Sequence, residues 1–299
     1  MTTAPAVEIV AKNPDVVGEN PLWRSEEGRI YWTDNRSKRV YRMRPGDAGP
    51  ETVVDGEQAY AFTFNQGVGQ RDASLLLFLS DTGIAVATDG GVRHAIDALP
   101  GQEGSRFNDV LADGAGRVIC GIVTASPTAG KAGSLYSLDT DGQASMLAGG
   151  LSMPNGMAFS ANDDQMYVAD TTAQRVLLYD YDVVTGTVAN ERMFLDLSSE
   201  EGRPDGITVD AEGCLWVAMS GGWCVVRYDD RGGERERITF PARKITSICF
   251  GDEALDTLYV TSSSRESVPD EEIGLEGGAL FALRPGVTGL LDHRSNVNI

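Results

Sequence analysis

The sequence predicts an all-β chain folded as a single six-bladed β-propeller over residues 1–299, with four-stranded antiparallel blades around a central channel. Three observations carry this. A short motif returns six times, each copy reads as a strand bounded by turn formers, and no 12-residue stretch has helical periodicity. The last point removes a parallel α/β sheet, whose strands need helical crossovers.

The motif is a turn rich in Asp, Gly, Asn or Ser, then an apolar and aromatic run, then a small or acidic residue. It appears as SEEGRIYWTD, DASLLLFLSD, DGAGRVICGI, ANDDQMYVAD, DAEGCLWVAM and GDEALDTLYVTS. With Tyr31, Phe78, Ile119, Tyr167, Trp216 and Tyr259 as equivalent markers, the spacings are 47, 41, 48, 49 and 43 residues. A period in the forties with several strands per copy is that of a propeller blade. A further strand follows most markers: RVYRMRP, GSLYSLDTDG, RVLLYDYD, CVVRYDDRG and GALFALRPG. Each leads from a Gly or polar turn and ends in a charged or Pro/Gly turn. A strand around residues 7–10 precedes the first copy and is expected to complete the last blade beside residues 278–283, so that no sheet edge stays open.

Composition narrows the function. At 41% hydrophobic and 23% charged, the 299 residues have enough apolar mass for a full core. The net charge is −19, with no run of Lys or Arg to track a phosphate backbone, so nucleic acid is excluded as a partner. Apolar runs such as residues 75–79 fall far short of the ~20 residues of a membrane helix. The N-terminus lacks the pattern of a signal peptide, and the chain is expected to be cytoplasmic. Cys120, Cys214, Cys224 and Cys249 include no C-x-x-C pair and are read as buried free thiols.

The repeats also locate a site. Eleven or twelve residues before four markers stands an oxygen-bearing side chain: Glu19, Asn108, Asn155 and Asp205, in the contexts GENPLW, FNDVLAD, PNGMAFS and PDGITVD. In the second repeat, Gln66 and Gly67 are taken to hold this phase. Taken singly, Asn or Asp beside Gly or Pro is ordinary turn chemistry. Four in phase, on strands that open at one mouth of the channel, form a ring. Carboxylate and amide oxygens without thiolate or imidazole suit a hard divalent cation, Ca, Mg or Mn, with Zn and Fe(II) also open.

Competing chemistries find little support. His94 and His293 are the only histidines, read as surface residues in an outer strand and the C-terminal tail, too few for a Ser-His-Asp triad or a histidine zinc site. DTDGQASMLAGG opens like a calcium loop at Asp139, but Gly150 stands where the bidentate Glu belongs, so it is read as a hairpin turn. GERERI, from Gly233, reads as a solvated strand face.

The set GENPLW, RFNDVLADGAGR, MPNGMAFS with MYVADT, RPDGITVDAEGCLWVA and TSICFGDEALDTLYVTSS resembles the SMP-30/gluconolactonase/regucalcin-like family over nearly the whole chain. The resemblance implies a six-bladed propeller with one divalent metal held by Glu19, Asn155 and Asp205. It further implies substrate contacts from Arg106 and Asn108, with Asn108 also near the metal, and hydrolysis of a sugar lactone. Two departures bear on substrate. Ile119-Cys120-Gly121-Ile122-Val123 stands where many relatives read W-x-G-T-M, and TASPTAGKAG lacks the acidic residues that some relatives place over the substrate. The leading expectation is a metal-dependent lactonase on a 1,4- or 1,5-lactone of an aldonic acid, with Asp205 as both ligand and general base. Phosphotriester hydrolysis on the same ring and a non-enzymatic calcium-binding regulator are the alternatives.

Overall fold

The computed structural model describes residues 5–12, 16–66, 74–128, 131–265 and 272–299. Among these, 24 strands form six antiparallel blades, each of four strands from axis to rim. Blade 1 comprises Gly18–Arg24, Arg29–Asp34, Arg39–Met43 and Glu51–Asp55. Blades 2 to 5 repeat that order from the innermost strands Ala59–Asn65, Arg106–Ala112, Pro154–Phe159 and Arg203–Val209. Blade 6 takes Lys244–Gly251, Thr257–Ser263 and Leu280–Leu283, and its rim strand, Glu8–Ala11, comes from the start of the chain. Glu8 pairs with Ala282 and Ile9 with Phe281, the closure expected from the sequence. Each innermost strand touches its two neighbours, so the six enclose the channel.

All six markers lie on the second strand of their blade. That strand has a neighbouring blade on each face, so its apolar run needs no polar alternation: Ser74–Leu79 is buried throughout. Six apolar clusters result, one at each blade interface. Between blades 6 and 1, Trp23 stacks on Tyr259 with ring centroids 5.8 Å apart. Between blades 1 and 2, Tyr31 meets Phe64 edge to face at 5.2 Å. Full burial of one such side chain is worth about 1.5–3 kcal/mol, and each blade contributes several.

The acidic residue that ends the motif in blades 1 and 4 has a structural role. Asp34 accepts from the amides of Val16 and Val17, at 2.9 and 3.2 Å. Asp170 accepts from those of Ser152 and Met153, at 2.9 and 2.8 Å, and from Arg175 Nη2 at 2.9 Å. Both carboxylates are fully buried, and each fixes the segment that leads into an innermost strand.

Past the last strand, the chain crosses the far face of the ring. The Gly289 amide donates to Leu255 O, and Ala211 donates to Thr288 O. Asn65 then clasps Val297 with both ends of its amide, at 2.9 and 3.0 Å, and Asn298 donates to Thr140 O.

The smaller expectations fare variously. Residues 139–142 make the expected hairpin turn, with the Gly142 amide donating to Asp139 O. Glu234–Thr239 is an outermost, mostly exposed strand, and His94 is exposed on the outermost strand of blade 2, beside Glu57. All four cysteines are free, but Cys214 is only half-buried, because it sits in the exposed turn that opens a second strand. His293 is not a plain surface residue: it is half-buried against Asp163 at 2.9 Å and lines a cavity where the tail crosses the channel.

Asp170→Ala should cost about 3 kcal/mol, since it strands two amides and the Arg175 guanidinium together. Arg192→Ala, which breaks an exposed pair with Asp180, should cost under about 1 kcal/mol. Denaturant titration of both variants checks the contrast.

Candidate functional site

Every innermost strand breaks register with the second strand of its blade near the same mouth of the channel. The breaks fall between Glu19 and Leu22, Phe107 and Val110, Pro154 and Met157, and Pro204 and Ile207, at or around the four residues in phase. A bulge leaves a residue out of the ladder and turns its side chain away from the sheet face, here toward the axis. The glycines that follow are not turn residues, as the dipeptides Asn155-Gly156 and Asp205-Gly206 suggested. A Cβ on Gly156 would stand 2.3 Å from Asp205 O, and one on Gly206 would stand 2.2 Å from Ser247 Oγ. Glycine is needed so that innermost strands of blades 4, 5 and 6 can touch.

This contact joins two of the expected ligands. Asn155 Nδ2 lies 2.5 Å from Asp205 Oδ1 and 3.1 Å from Thr171 Oγ1, and Thr171 donates in turn to Pro204 O at 2.8 Å. The amide nitrogen is thus committed, and no described residue donates to Asn155 Oδ1. Glu19 is held close enough for the charge of Asp205 to act on it. Burial, then the charges of Asp205 and Asp109, push the Glu19 carboxyl well above the usual carboxylate range. Burial, then Asp109, raises Asp205 in the same direction, while Ser220 and Asn155 oppose the shift by hydrogen bonding. Asp109 itself is pushed up to about 7, chiefly by burial. Glu19 and Asp109 border channel space but have protein on every side, so desolvation governs them. Among the described residues, no three His, Cys, Asp or Glu side chains form a metal-sized cluster, so a cation here would need the amide oxygen.

Above this group opens a cleft of about 170 Å³, reached by Glu19, Asn108 and Asn155. That is smaller than the roughly 300–1,000 Å³ of drug-sized pockets and fits a small polar ligand. Arg106 and Asn108 meet there: Nη1 of Arg106 donates to Asn108 Oδ1 at 2.5 Å, and Asn108 Nδ2 donates to Pro154 O at 3.0 Å. The Arg106 guanidinium also lies over the Tyr60 ring, 5.0 Å from its centroid. A larger cavity, about 250 Å³, lies at the tail-covered end of the channel and includes Asp109, Asp292 and His293.

The second blade departs from expectation. Gln66 follows the far end of its innermost strand, where its amide donates to Ser295 O, and Gly67 lies outside the described residues. Tyr60 holds the bulge position instead. The hairpin after Asn65 is longer than in other blades, which moves the marker away from the ring residue and defeats a fixed offset. Arg36 and Arg265, also in the cleft, went unread. Their signal was available: each stands two residues beyond Asp34 or Ser263, the partner of the first residue of an innermost strand.

A sequence profile described as the SMP-30/Gluconolactonase/LRE-like region matches residues 17–264. The chain belongs to this family. Within the SMP-30/gluconolactonase group, it is 38% identical over 288 residues to pentonolactonase XacC of Haloferax volcanii, covering 95% of this chain and 96% of that one. It is 33% identical to 6-deoxy-6-sulfogluconolactonase of Pseudomonas putida, covering 95% and 96%. The crystal structure of a calcium-binding protein, regucalcin, from Agrobacterium tumefaciens superposes with a TM-score of 0.85 at 23% identity, covering 97% and 96%, which shows the fold.

Gly156→Ala should force Asp205 away from Asn155. The expected results are a loss of about 1–3 kcal/mol from overpacking and weaker cation binding. Gly49→Ala, in open space, should change neither. Thermal melts and metal titrations on the two variants make the comparison.

Proposed function

We propose that this chain is a metal-dependent lactonase that opens a 1,4- or 1,5-lactone of an aldonic acid to the free acid. The observation that carries it is the bond between Asp205 and the Asn155 amide, with Asn155 and Glu19 lining the cleft that also bears Arg106 and Asn108. Family membership and the lactonase named among the relatives support the reaction class.

The donor set fits a hard divalent cation. Glu19 and Asp205 supply two negative charges that burial disfavours unless a cation offsets them, and Asn155 Oδ1 is an oxygen without a described donor. Such a cation, when bound, supplies Lewis-acid stabilisation of the tetrahedral oxyanion of ester hydrolysis. The chain's own residues do the rest. Asp205, the carboxylate bonded to the cleft residue Asn155, accepts a proton from the water that attacks the lactone carbonyl. The ring C–O bond then breaks, and its alkoxide takes up that proton as the new hydroxyl. Arg106 is held by Asn108 and Tyr60, and its Nη1 also donates to Phe107 O at 3.2 Å, which leaves Nε and Nη2 to orient substrate hydroxyls.

A pH-stat assay over a panel of aldonolactones with added metals tests the reading. Chelation should abolish turnover and a divalent ion restore it; full activity in verified metal-free protein would refute the metal role. Turnover of phosphotriesters alone would move the assignment to that reaction, and metal binding with no ester turned over would leave a calcium-binding regulator.

Glu19→Gln and Asp205→Asn should both weaken metal binding, yet diverge at saturating metal. Glu19→Gln should recover part of its rate, while Asp205→Asn should stay about 10² to 10⁴ slower, because an amide takes no proton. Equal recovery, read from kcat across a metal titration, would make Asp205 a ligand only.

The buried carboxylates also set a pH slope. Their folded pKa values lie above the unfolded ones, so chelated protein binds more protons folded than unfolded. Their contribution to its stability should be fully present below about pH 4 and be lost as the pH rises through about 7 to about 8. Metal-loaded protein should show a shallower fall, which melts at several pH values will reveal.

A further inference from the structure

Among the described residues, the cleft at the channel mouth is lined by three arginines, Arg36, Arg106 and Arg265, and one carboxylate residue, Glu19. This inverts the charge of the chain, which has 44 Asp and Glu against 25 Lys and Arg. Elsewhere arginines are readily paired: Arg24, Arg117, Arg175, Arg227 and Arg237 each lie within 3.2 Å of a carboxylate oxygen. Among the described residues, no carboxylate pairs with Arg36 or Arg265.

Their placement is regular. Gly18 pairs with Asp34 in blade 1 and Lys244 pairs with Ser263 in blade 6, and each arginine follows that partner by two residues. Neighbouring blades therefore deliver the same residue type, on equivalent loops, to one rim of the cleft. Arg106 meets them from blade 3, fixed by Asn108 and the Tyr60 ring. Its guanidinium pKa is lowered first by burial, and the nearby charge of Arg36 adds to the fall. Three arginines against one carboxylate among the described residues leave the cleft with an excess of positive charge, which suits an anion that the ligand brings.

We propose that the mouth selects a lactone carrying an anionic substituent, a carboxylate, sulfonate or phosphate, away from the ring carbonyl, with Arg36 and Arg265 as the residues that recognise it. This rests on the lactonase reading above and names its substrate class. Arginine suits the task because its planar fork matches the oxygens of all three groups. The neutral part of the sugar remains with Arg106 and Asn108.

The test compares kcat/KM for one lactone ring whose terminal carbon bears a hydroxyl, carboxylate, sulfonate or phosphate, in metal-loaded enzyme at low ionic strength. At least one anionic form should exceed the neutral form by roughly tenfold or more, and the ranking among the three identifies the group. Arg36→Gln and Arg265→Gln should each lower that preference roughly tenfold or more, the worth of a charge-assisted hydrogen bond, with a far smaller effect on the neutral lactone. Near 1 M salt, where screening reaches about 3 Å, the preference should shrink. Both side chains are exposed on loops, so the variants should melt like the parent. A neutral lactone turned over as fast as every anionic one, or equal losses on both kinds, overturns the proposal while leaving the lactonase reading intact. If no lactone of either kind is hydrolysed, the lactonase reading falls. Calorimetry with a terminal-phosphate, terminal-sulfonate or dicarboxylate sugar acid against its neutral-ended counterpart then judges the arginines alone: preference for none of the anionic ligands, or a preference unchanged in the two variants, rejects their role.

Discussion

Everything at the axis depends on how closely the innermost strands approach one another. At Gly156 and Gly206 the wall of the channel is backbone against backbone, with no room for a single methyl group. That contact sets the channel radius where blades 4, 5 and 6 meet, and therefore whether oxygens from separate blades can share one ion. The register breaks turn the side chains inward, and the buried aspartates Asp34 and Asp170 hold the approach to two of these strands. The apolar clusters between blades make the ring stiff enough for such tolerances to matter.

The electrostatic design works at two levels. Around the axis, Glu19, Asp109 and Asp205 are carboxylates whose pKa values are raised first by burial. At the mouth, arginines gather on a chain that is otherwise strongly acidic. Neither arrangement serves stability by itself, since each gathers like charge, and the buried carboxylates add a desolvation cost.

Much of this was legible in the chain. Blade number, strand content and ring closure followed from periodicity, because a blade buries both faces of its second strand and leaves a continuous apolar run as a marker. The offsets that singled out Glu19, Asn108, Asn155 and Asp205 held because four of the first hairpins have nearly equal lengths. The same offset failed at blade 2, where a longer hairpin put Gln66 at the wrong end of the strand and hid Tyr60. The part played by Gly156 and Gly206 was not legible, because a close approach between strands far apart in sequence leaves the same dipeptide as a local turn. His293 looked like a tail residue, since nothing local shows that the tail returns across the channel. Arg36 and Arg265 lie outside the strands that carry the periodic signal.

The pairing of Glu8–Ala11 with Leu280–Leu283 bears on how the molecule is made. The segment that leaves the ribosome early is the one the last blade needs, so for most of synthesis the nascent chain is an open arc with an unpaired rim at each end. Its three proposed ligands, from blades 1, 4 and 5, come to their final spacing only when the arc becomes a circle. A half-made copy would therefore hold cations poorly, and loading with metal would report that the circle has closed.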